Sequence, residues 1–302
     1  MRLLLALPGA LIVLAVAGCG SPASTSGGRG AALQVVAAEN VWGSIAAQLA
    51  GTKGVVTNLV DNPETDPHDY SPTAADARAM AGADVAIVNG IGYDPWASRL
   101  IDANPVSGRT VVDVGDLLHL KEGDNPHQWY DPSSVRKVVD AISSAYAQAD
   151  PAHAAYFAAR KKRFTRDSLR EYDRLRTEIR TRFAGVPVGY SESIFEPLGA
   201  DLRLKLATPE GFAKSVTEGT DVSAKDAQTV DRQVQRRLIK AWIFNSQNVT
   251  PDVRRINAAS EEKRIPVTTI TETISPATVG FEQWQVAQLR ALLAALHRAT
   301  GR

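Results

Sequence analysis

Two histidines and two glutamates are the residues of this sequence whose chemistry fits a metal site. His68 lies in "TDPHDYSP" and His127 in "DNPHQWYDP", each directly after a proline, which fixes the local backbone. Glu192 lies in "GYSESIFEPLG" and Glu272 in "TITETISP". Imidazole nitrogens and carboxylate oxygens are ligands for divalent transition metals. Two neutral imidazoles and two carboxylates would neutralise one such ion, which lowers the cost of burying it.

Each of these four residues follows a predicted strand. His68 comes after "VVTNLV" (55–60), His127 after "TVVDV" (110–114), Glu192 after "VPVGY" (186–190) and Glu272 after "PVTTIT" (266–271). Separations of 59, 65 and 80 residues are too long for a local motif. In open α/β sheets, however, ligands bind beyond the carboxyl ends of the strands. The pattern therefore predicts a metal site in a cleft between two lobes, with two ligands from each lobe.

Short β-rich runs alternate with helical segments on both sides of a charged middle region. This alternation predicts an α/β fold with two lobes built on parallel-type sheets, an N-terminal lobe at 33–150 and a C-terminal lobe at 184–302. The middle region, 151–183, contains "AAYFAARKKRFTRDSLREYDRLRTEIRTRF", which has helical spacing and no Gly or Pro. It predicts one linking helix of about 30 residues, or ~45 Å at 1.5 Å per residue.

The N-terminus has the pattern of an export signal. Arg2 precedes the apolar run "LLLALPGALIVLAVAG", and small residues precede Cys19, an arrangement that resembles the bacterial lipobox. We therefore expect a lipoprotein signal peptide at 1–18, lipidation of Cys19, and a flexible Ser/Gly-rich tether at 19–32. The alternative is a plain secretory signal with an incidental cysteine. With lipid on Cys19 the protein would lie on the outer face of the cytoplasmic membrane.

Composition excludes several other classes of function. Cys19 is the single cysteine, so neither an internal disulfide nor a thiolate metal site can form. Lys and Arg number 34 and Asp and Glu 33, and removal of Arg2 with the signal leaves 33 against 33. This balance argues against a nucleic-acid partner. The sequence lacks G-x-x-x-x-G-K-[ST], so ATP hydrolysis would belong to another subunit.

The segments around the four residues resemble a known family. "DPHDYSPTAADARAMAGADVAIVNGIGYDPW" and "NPHQWYDP" are similar to the first two ligand segments of the metal-receptor lipoproteins of bacterial ABC importers, the ZnuA/TroA-like binding proteins for manganese, zinc or iron. The resemblance extends over about residues 33–300. It implies a monomeric receptor rather than an enzyme, a linking helix with limited lobe movement, and a membrane permease with its ATPase as partners.

The third and fourth segments bear on the choice of metal. "YSESIF" resembles the manganese-type third segment, in which Glu192 stands where zinc receptors usually have histidine. The fourth segment usually has aspartate where this chain has Glu272. Should Glu272 point away from the site, Asp221 or Ser191 would substitute for it. We expect Mn²⁺ in preference to Zn²⁺, with Fe²⁺ also possible. Asp69, Asp131 and Ser191 are candidates for orienting the histidines through the ring nitrogen that is not on the metal.

Two other classes of protein could use the same features. A secreted metal-dependent hydrolase could use the four residues, although catalytic sites usually keep an open coordination position and a general base. Four protein ligands without H-E-x-x-H favour storage and transfer of the ion instead. A lipoprotein adhesin or interaction module would explain the lipid anchor and leave the four ligands without a role.

Overall fold

Two four-stranded parallel sheets, one in each half of the chain, make up the framework of the protein. The computed structural model describes residues 32–302, so the predicted signal peptide, Cys19 and the tether up to residue 31 lie outside the described residues. The strand orders are β2-β1-β3-β4 and β6-β5-β7-β8, and every neighbouring pair is parallel. The strands are β1 Leu33–Glu39, β2 Gly54–Val60, β3 Val85–Val88, β4 Thr110–Asp113, β5 Pro187–Tyr190, β6 Lys205–Leu206, β7 Trp242–Asn245 and β8 Val267–Ile270.

The first sheet is covered by helices on both faces. Val35 and Ala37 of β1 pack into an inner core, whereas Val36 and Ala38 pack into an outer core beneath α2 and α3. A strand buried on both faces has few polar residues, as the sequence LQVVAAE of β1 shows. The helices of this lobe are α1 Asn40–Ala50, α2 Ala74–Ala81, α3 Pro95–Ala103, α4 Val114–Leu118 and α5 Pro132–Ala149.

The segment expected to link the lobes is helical but is not one regular α-helix. A 3-10 turn at Pro151–His153 leads into α6, Ala154–Arg163, followed by a π-helical turn at Phe164–Ser168 and by α7, Arg170–Phe183. Helix α6 packs on α5 and α1 of the first lobe, and α7 packs on the C-terminal helix of the second lobe. The segment therefore contacts both lobes.

The second lobe repeats the arrangement of the first. Its helices are α8 Glu196–Asp201, α9 Glu210–Thr217, α10 Ala224–Gln235, α11 Pro251–Glu262 and α12 Phe281–Thr300. β2, β4, β5 and β8 are the four strands predicted before the candidate ligands, and β1, β3 and β7 coincide with the further β-rich runs "LQVVAA" (33–38), "DVAIVN" (84–89) and "KAWIFNS" (240–246). The exception is β6, which has only two residues and lies at the edge of its sheet. So short a run carries no periodicity from which it could be predicted.

One hydrophobic core continues from the first lobe into the second. It includes Trp42 and Trp129 of the first lobe, Phe164 and Tyr172 of the linking segment, and Trp284 of α12. Close-packed interiors resist shear, so the shared core favours small movements of one lobe against the other. None of the helices within residues 32–302 combines the length and apolarity that a membrane crossing requires.

Candidate metal site

Three of the four predicted ligands come together where the two lobes meet. One ligand atom each of His68, His127 and Glu272 lies within 4.8 Å of the others. Glu192 lies beside this group, because the Asn245 side-chain amide donates hydrogen bonds to Glu192 Oε2 at 3.3 Å and to Glu272 Oε2 at 3.5 Å. Loops that follow the carboxyl ends of β2, β5 and β8, together with the loop after α4, thus converge on one place.

His127 is fully buried, and its ring is held by Asn125. Asn125 Oδ1 accepts hydrogen bonds from the His127 backbone N–H at 3.0 Å and from Nδ1 at 2.9 Å. Because an amide oxygen only accepts, Nδ1 carries the proton and Nε2 is the nitrogen left for a metal. The Asn125 amide also donates to the carbonyl of Ser193 at 2.8 Å, in the other lobe. Asn125 therefore sets both the tautomer of His127 and the distance to the segment that carries Glu192.

His68 lies in the loop between β2 and α2, at the open side of the group. The loop is fixed by a hydrogen bond from Trp96 Nε1 to the carbonyl of Pro67 and by one from the His68 backbone N–H to Asp66. The imidazole packs edge-on against Tyr93, with 4.5 Å between ring centroids. Its side chain is 33% exposed, which leaves a path from solvent to the group.

The carboxylate of Glu272 faces both histidines. Its Oε1 lies 3.2 Å from His127 Nε2 and 3.6 Å from His68 Nε2. Burial by itself would raise the pKa of this carboxyl, but the hydrogen bonds and charges of His127 and His68 outweigh burial and hold the pKa well below its ordinary range. For His68, burial lowers the pKa, but the hydrogen bond to Glu272 and the charges of Glu272, Asp66 and Asp69 together outweigh burial, so the pKa is raised.

Glu192 has the opposite electrostatic environment. Its side chain is almost fully buried, and Oε1 has no hydrogen-bond partner within residues 32–302. Burial, with a smaller contribution from the charge of Glu272, raises the pKa of Glu192 to about 8. An unpartnered, buried carboxylate oxygen that Asn245 joins to Glu272 is a group that a divalent cation would satisfy. The donor set of the four residues therefore fits such an ion.

A cleft of about 830 Å³ leads to these residues from solvent. Among the described residues that line it, Lys214 is the one lysine or arginine, and His68 is the one histidine. The acidic residues in the lining are Glu64, Asp66, Asp69, Glu122, Asp124, Glu196, Glu210, Glu218 and Glu272. A cleft lined mainly by one sign of charge concentrates counter-ions, so this one attracts cations.

Two of the three residues expected to orient the histidines, Asp131 and Ser191, are hydrogen-bonded elsewhere in the structure. Asp131 caps the N-terminus of α5, and the side chain bonded to Nδ1 of His127 is Asn125. Ser191 Oγ accepts the backbone N–H of Asn245, and Asp69 is exposed beside His68. Asp221, the possible substitute for Glu272, is also exposed. Sequence reasoning missed Asn125, although it lies two residues before His127 in "DNPHQW".

A second missed residue is Asn245, the last residue of β7. It is fully buried and belongs to the run "KAWIFNS", which reads as a strand. A polar residue at the carboxyl end of a central strand was a usable signal, because β5 and β7 flank the point where the strand order of the second sheet reverses.

Comparison with known families now identifies the chain. Residues 35–295 match the family described as zinc-uptake complex component A, periplasmic. The chain belongs to this family. The resemblance noted from the sequence is therefore confirmed, and so are the two parallel-sheet α/β lobes. The family comprises periplasmic binding proteins for metal transport rather than enzymes, which contradicts the hydrolase alternative.

Individual relatives differ in the metal that their names give. The manganese-binding lipoprotein MntA of Halalkalibacterium halodurans is 33% identical over 162 residues, 52% of this chain. The chain spans about half of that relative, 53% of its length. The iron-binding protein YfeA of Yersinia pestis is 26% identical over 250 residues, covering 80% of this chain and 70% of the relative.

Solved structures share the fold. The periplasmic zinc-binding protein TroA of Treponema pallidum superposes with a TM-score of 0.73 at 18% identity, over 88% of this chain and 99% of TroA. FpvC of Pseudomonas aeruginosa, in complex with Mn²⁺, superposes with a TM-score of 0.71 at 19% identity, over 88% of this chain and 98% of FpvC.

Proposed function

We propose that this protein captures one divalent transition metal ion between its lobes and delivers it to an ABC-type permease. His68, His127, Glu192 and Glu272 are the proposed ligands. The observation that carries the proposal is the convergence of His68, His127 and Glu272, from loops of both lobes, within 4.8 Å of one another. The acidic cleft supplies the route by which a cation reaches them.

Mn²⁺ is the proposed cargo, ahead of Zn²⁺ and Fe²⁺. Two of the four proposed ligands are carboxylates, and a bidentate carboxylate raises the coordination number above the four typical of zinc. Carboxylate oxygen suits Mn²⁺, although raw affinity at such a site follows the order that places Zn²⁺ above Mn²⁺. Manganese is also the metal in the name of the 33%-identical relative.

The proposed partners are a membrane permease and its ATPase, with the protein held at the outer face of the cytoplasmic membrane by lipid on Cys19. Relatives include a metal ABC transporter substrate-binding lipoprotein, ScbA of Streptococcus cristatus. For release, the permease would have to separate the lobes, since four ligands otherwise let an ion go slowly.

Thermal unfolding of the metal-free chain without residues 1–30 tests the proposal. A ligand of the native state at about 100 times its Kd adds about 2.7 kcal/mol to the free energy of unfolding. We expect Mn²⁺, Zn²⁺ or Fe²⁺, added singly, to raise the unfolding temperature. His68→Ala should abolish this shift. His153→Ala is the matched control, because His153 pairs with Asp150 at the start of α6. Equal shifts in both variants would contradict the ligand assignment, and no shift in the parent chain would contradict metal capture itself.

A further inference from the structure

The buried side chain of Asn40 joins the first lobe to the loop that carries Glu272. Asn40 is the first residue of α1, and Ile274 lies two residues after Glu272 in the second lobe. Asn40 Oδ1 accepts the backbone N–H of Ile274 at 3.0 Å, and Asn40 Nδ2 donates to the Ile274 carbonyl at 3.3 Å. One amide thus satisfies both backbone groups of a residue in the other lobe.

The other residues of this loop are held as well. Gln247 of the second lobe accepts the backbone N–H groups of Glu272 at 2.7 Å and of Thr273 at 3.0 Å. From the first lobe, the hydroxyl of Tyr130 donates to the carbonyl of Thr271 at 2.8 Å. Glu272 is therefore flanked on both sides by bonds to the lobe that also carries the two histidines.

We propose that Asn40 is a positioning residue for the metal: it fixes the Glu272 segment to the lobe that bears His68 and His127. This inference rests on the proposed function. Glu272 Oε1 lies only 3.2 Å from His127 Nε2, and binding geometry tolerates displacements of about 0.5 Å. Without Asn40, Gln247 of the second lobe would still hold Glu272 and Thr273, but the first lobe would keep only the bond from Tyr130 to Thr271, on the other side of Glu272. The part of the loop after Glu272 would then be free to move with the second lobe, which shifts the carboxylate relative to the histidines.

Ser44 offers a matched control on the same helix. It lies one turn after Asn40 and its hydroxyl accepts the backbone N–H of Phe281, the first residue of α12, at 2.9 Å. Ser44→Ala therefore removes a hydrogen bond between the same two lobes without touching residues 271–274. Asn40→Ala removes both bonds to Ile274, and Asn40→Leu does so while keeping the volume of the side chain.

The experiment loads each variant with Mn²⁺ alone, and separately with Zn²⁺ alone, and follows transfer of the ion to excess chelator. Loss of residues that orient ligands typically costs 10- to 100-fold in metal affinity, so we expect both Asn40 variants to release the ion at least about tenfold faster than the parent chain. The Ser44→Ala variant should release the ion at a rate within about twofold of that of the parent chain. The unfolding temperature of each metal-free variant, measured in parallel, reports any loss of stability.

Faster release in both Asn40 variants and not in Ser44→Ala would establish the positioning role. Release rates in the Asn40 variants equal to that of Ser44→Ala would overturn it, whatever their unfolding temperatures, because Asn40 would then be one structural contact among others. A parent chain that binds neither ion would remove the proposed function and this inference with it. Metal binding by the parent chain therefore distinguishes failure of the proposed function from failure of the positioning role.

Discussion

Replacing Glu192 with glutamine should make the metal-free protein more stable while weakening its hold on metal. The carboxyl of Glu192 is 2% exposed, with one oxygen unpartnered within the described residues. Burial raises its pKa from an ordinary value of 4.5 to about 8. Between these two values the folded state binds more protons than the unfolded state. The contribution of Glu192 to the free energy of unfolding therefore falls as the pH rises through this window, and it is level above pH 8.

The size of the effect follows from the two pKa values. One pH unit inside the window corresponds to about 1.4 kcal/mol. Relative to low pH, Glu192 then costs the folded state about 1 kcal/mol at pH 5, about 3 kcal/mol at pH 7 and about 5 kcal/mol at pH 9. Glutamine has nearly the same shape and cannot ionise. The Glu192→Gln variant should lack this slope, so its advantage over the parent chain grows with pH.

Urea unfolding in the presence of a chelator, at pH 5, 7 and 9, measures the difference in the free energy of unfolding. Glu218→Gln serves as the control, because Glu218 is exposed at the rim of the same cleft, and its curve should run parallel to that of the parent chain. Parallel curves for Glu192→Gln and the parent would refute the reasoning, since they would mean that Glu192 ionises as readily in the folded state as in the unfolded one.

Two further substitutions test the surroundings of the site. Glu39→Gln should stabilise the protein more at pH 8 than at pH 5 in thermal unfolding, because burial and the neighbouring Asp94 raise the pKa of Glu39 well above its ordinary value; an equal change at both pH values would contradict this. Asp131→Ala should lower the free energy of unfolding in urea by about 1 kcal/mol through loss of the α5 cap, with metal affinity unchanged. A large loss of affinity would instead assign Asp131 an orienting role.

Much of the fold could be predicted because hydrophobic patterning and βα alternation are local properties of the sequence. Seven strands were readable in this way, and four of them precede a candidate ligand. The interruption of the linking helix was not, because "RFTRDSLR" contains neither Gly nor Pro and the π-helical turn at Phe164–Ser168 arises without either. Nor was β6, whose two residues form a strand only through their pairing with Pro187 and Val188 of β5.

In the candidate site, the proposed ligands could be predicted from the sequence, whereas the residues that hold them could not. Residue type and position after a strand selected four residues, of which the structure brings His68, His127 and Glu272 together, with Glu192 joined to Glu272 through Asn245. The residues that hold them were harder to find, because Asn40, Asn125 and Asn245 act through contacts across 234, 68 and 53 residues of sequence. A side-chain amide at the end of a strand or the start of a helix is common, and its partner is visible only in three dimensions.

The electrostatic difference between Glu192 and Glu272 could not be predicted from the sequence. Both follow a strand of the second sheet, and nothing in "YSESIF" or "TITETI" separates them. In the fold, two imidazoles face Glu272 and hold its pKa low, whereas burial raises the pKa of Glu192 to about 8, because the neighbouring side-chain amides do not offset it. At neutral pH the metal-free site therefore contains one carboxylate stabilised by histidines and one carboxyl that keeps its proton. A divalent cation bound by all four would replace that proton, so capture of the ion and ionisation of Glu192 are a single coupled equilibrium.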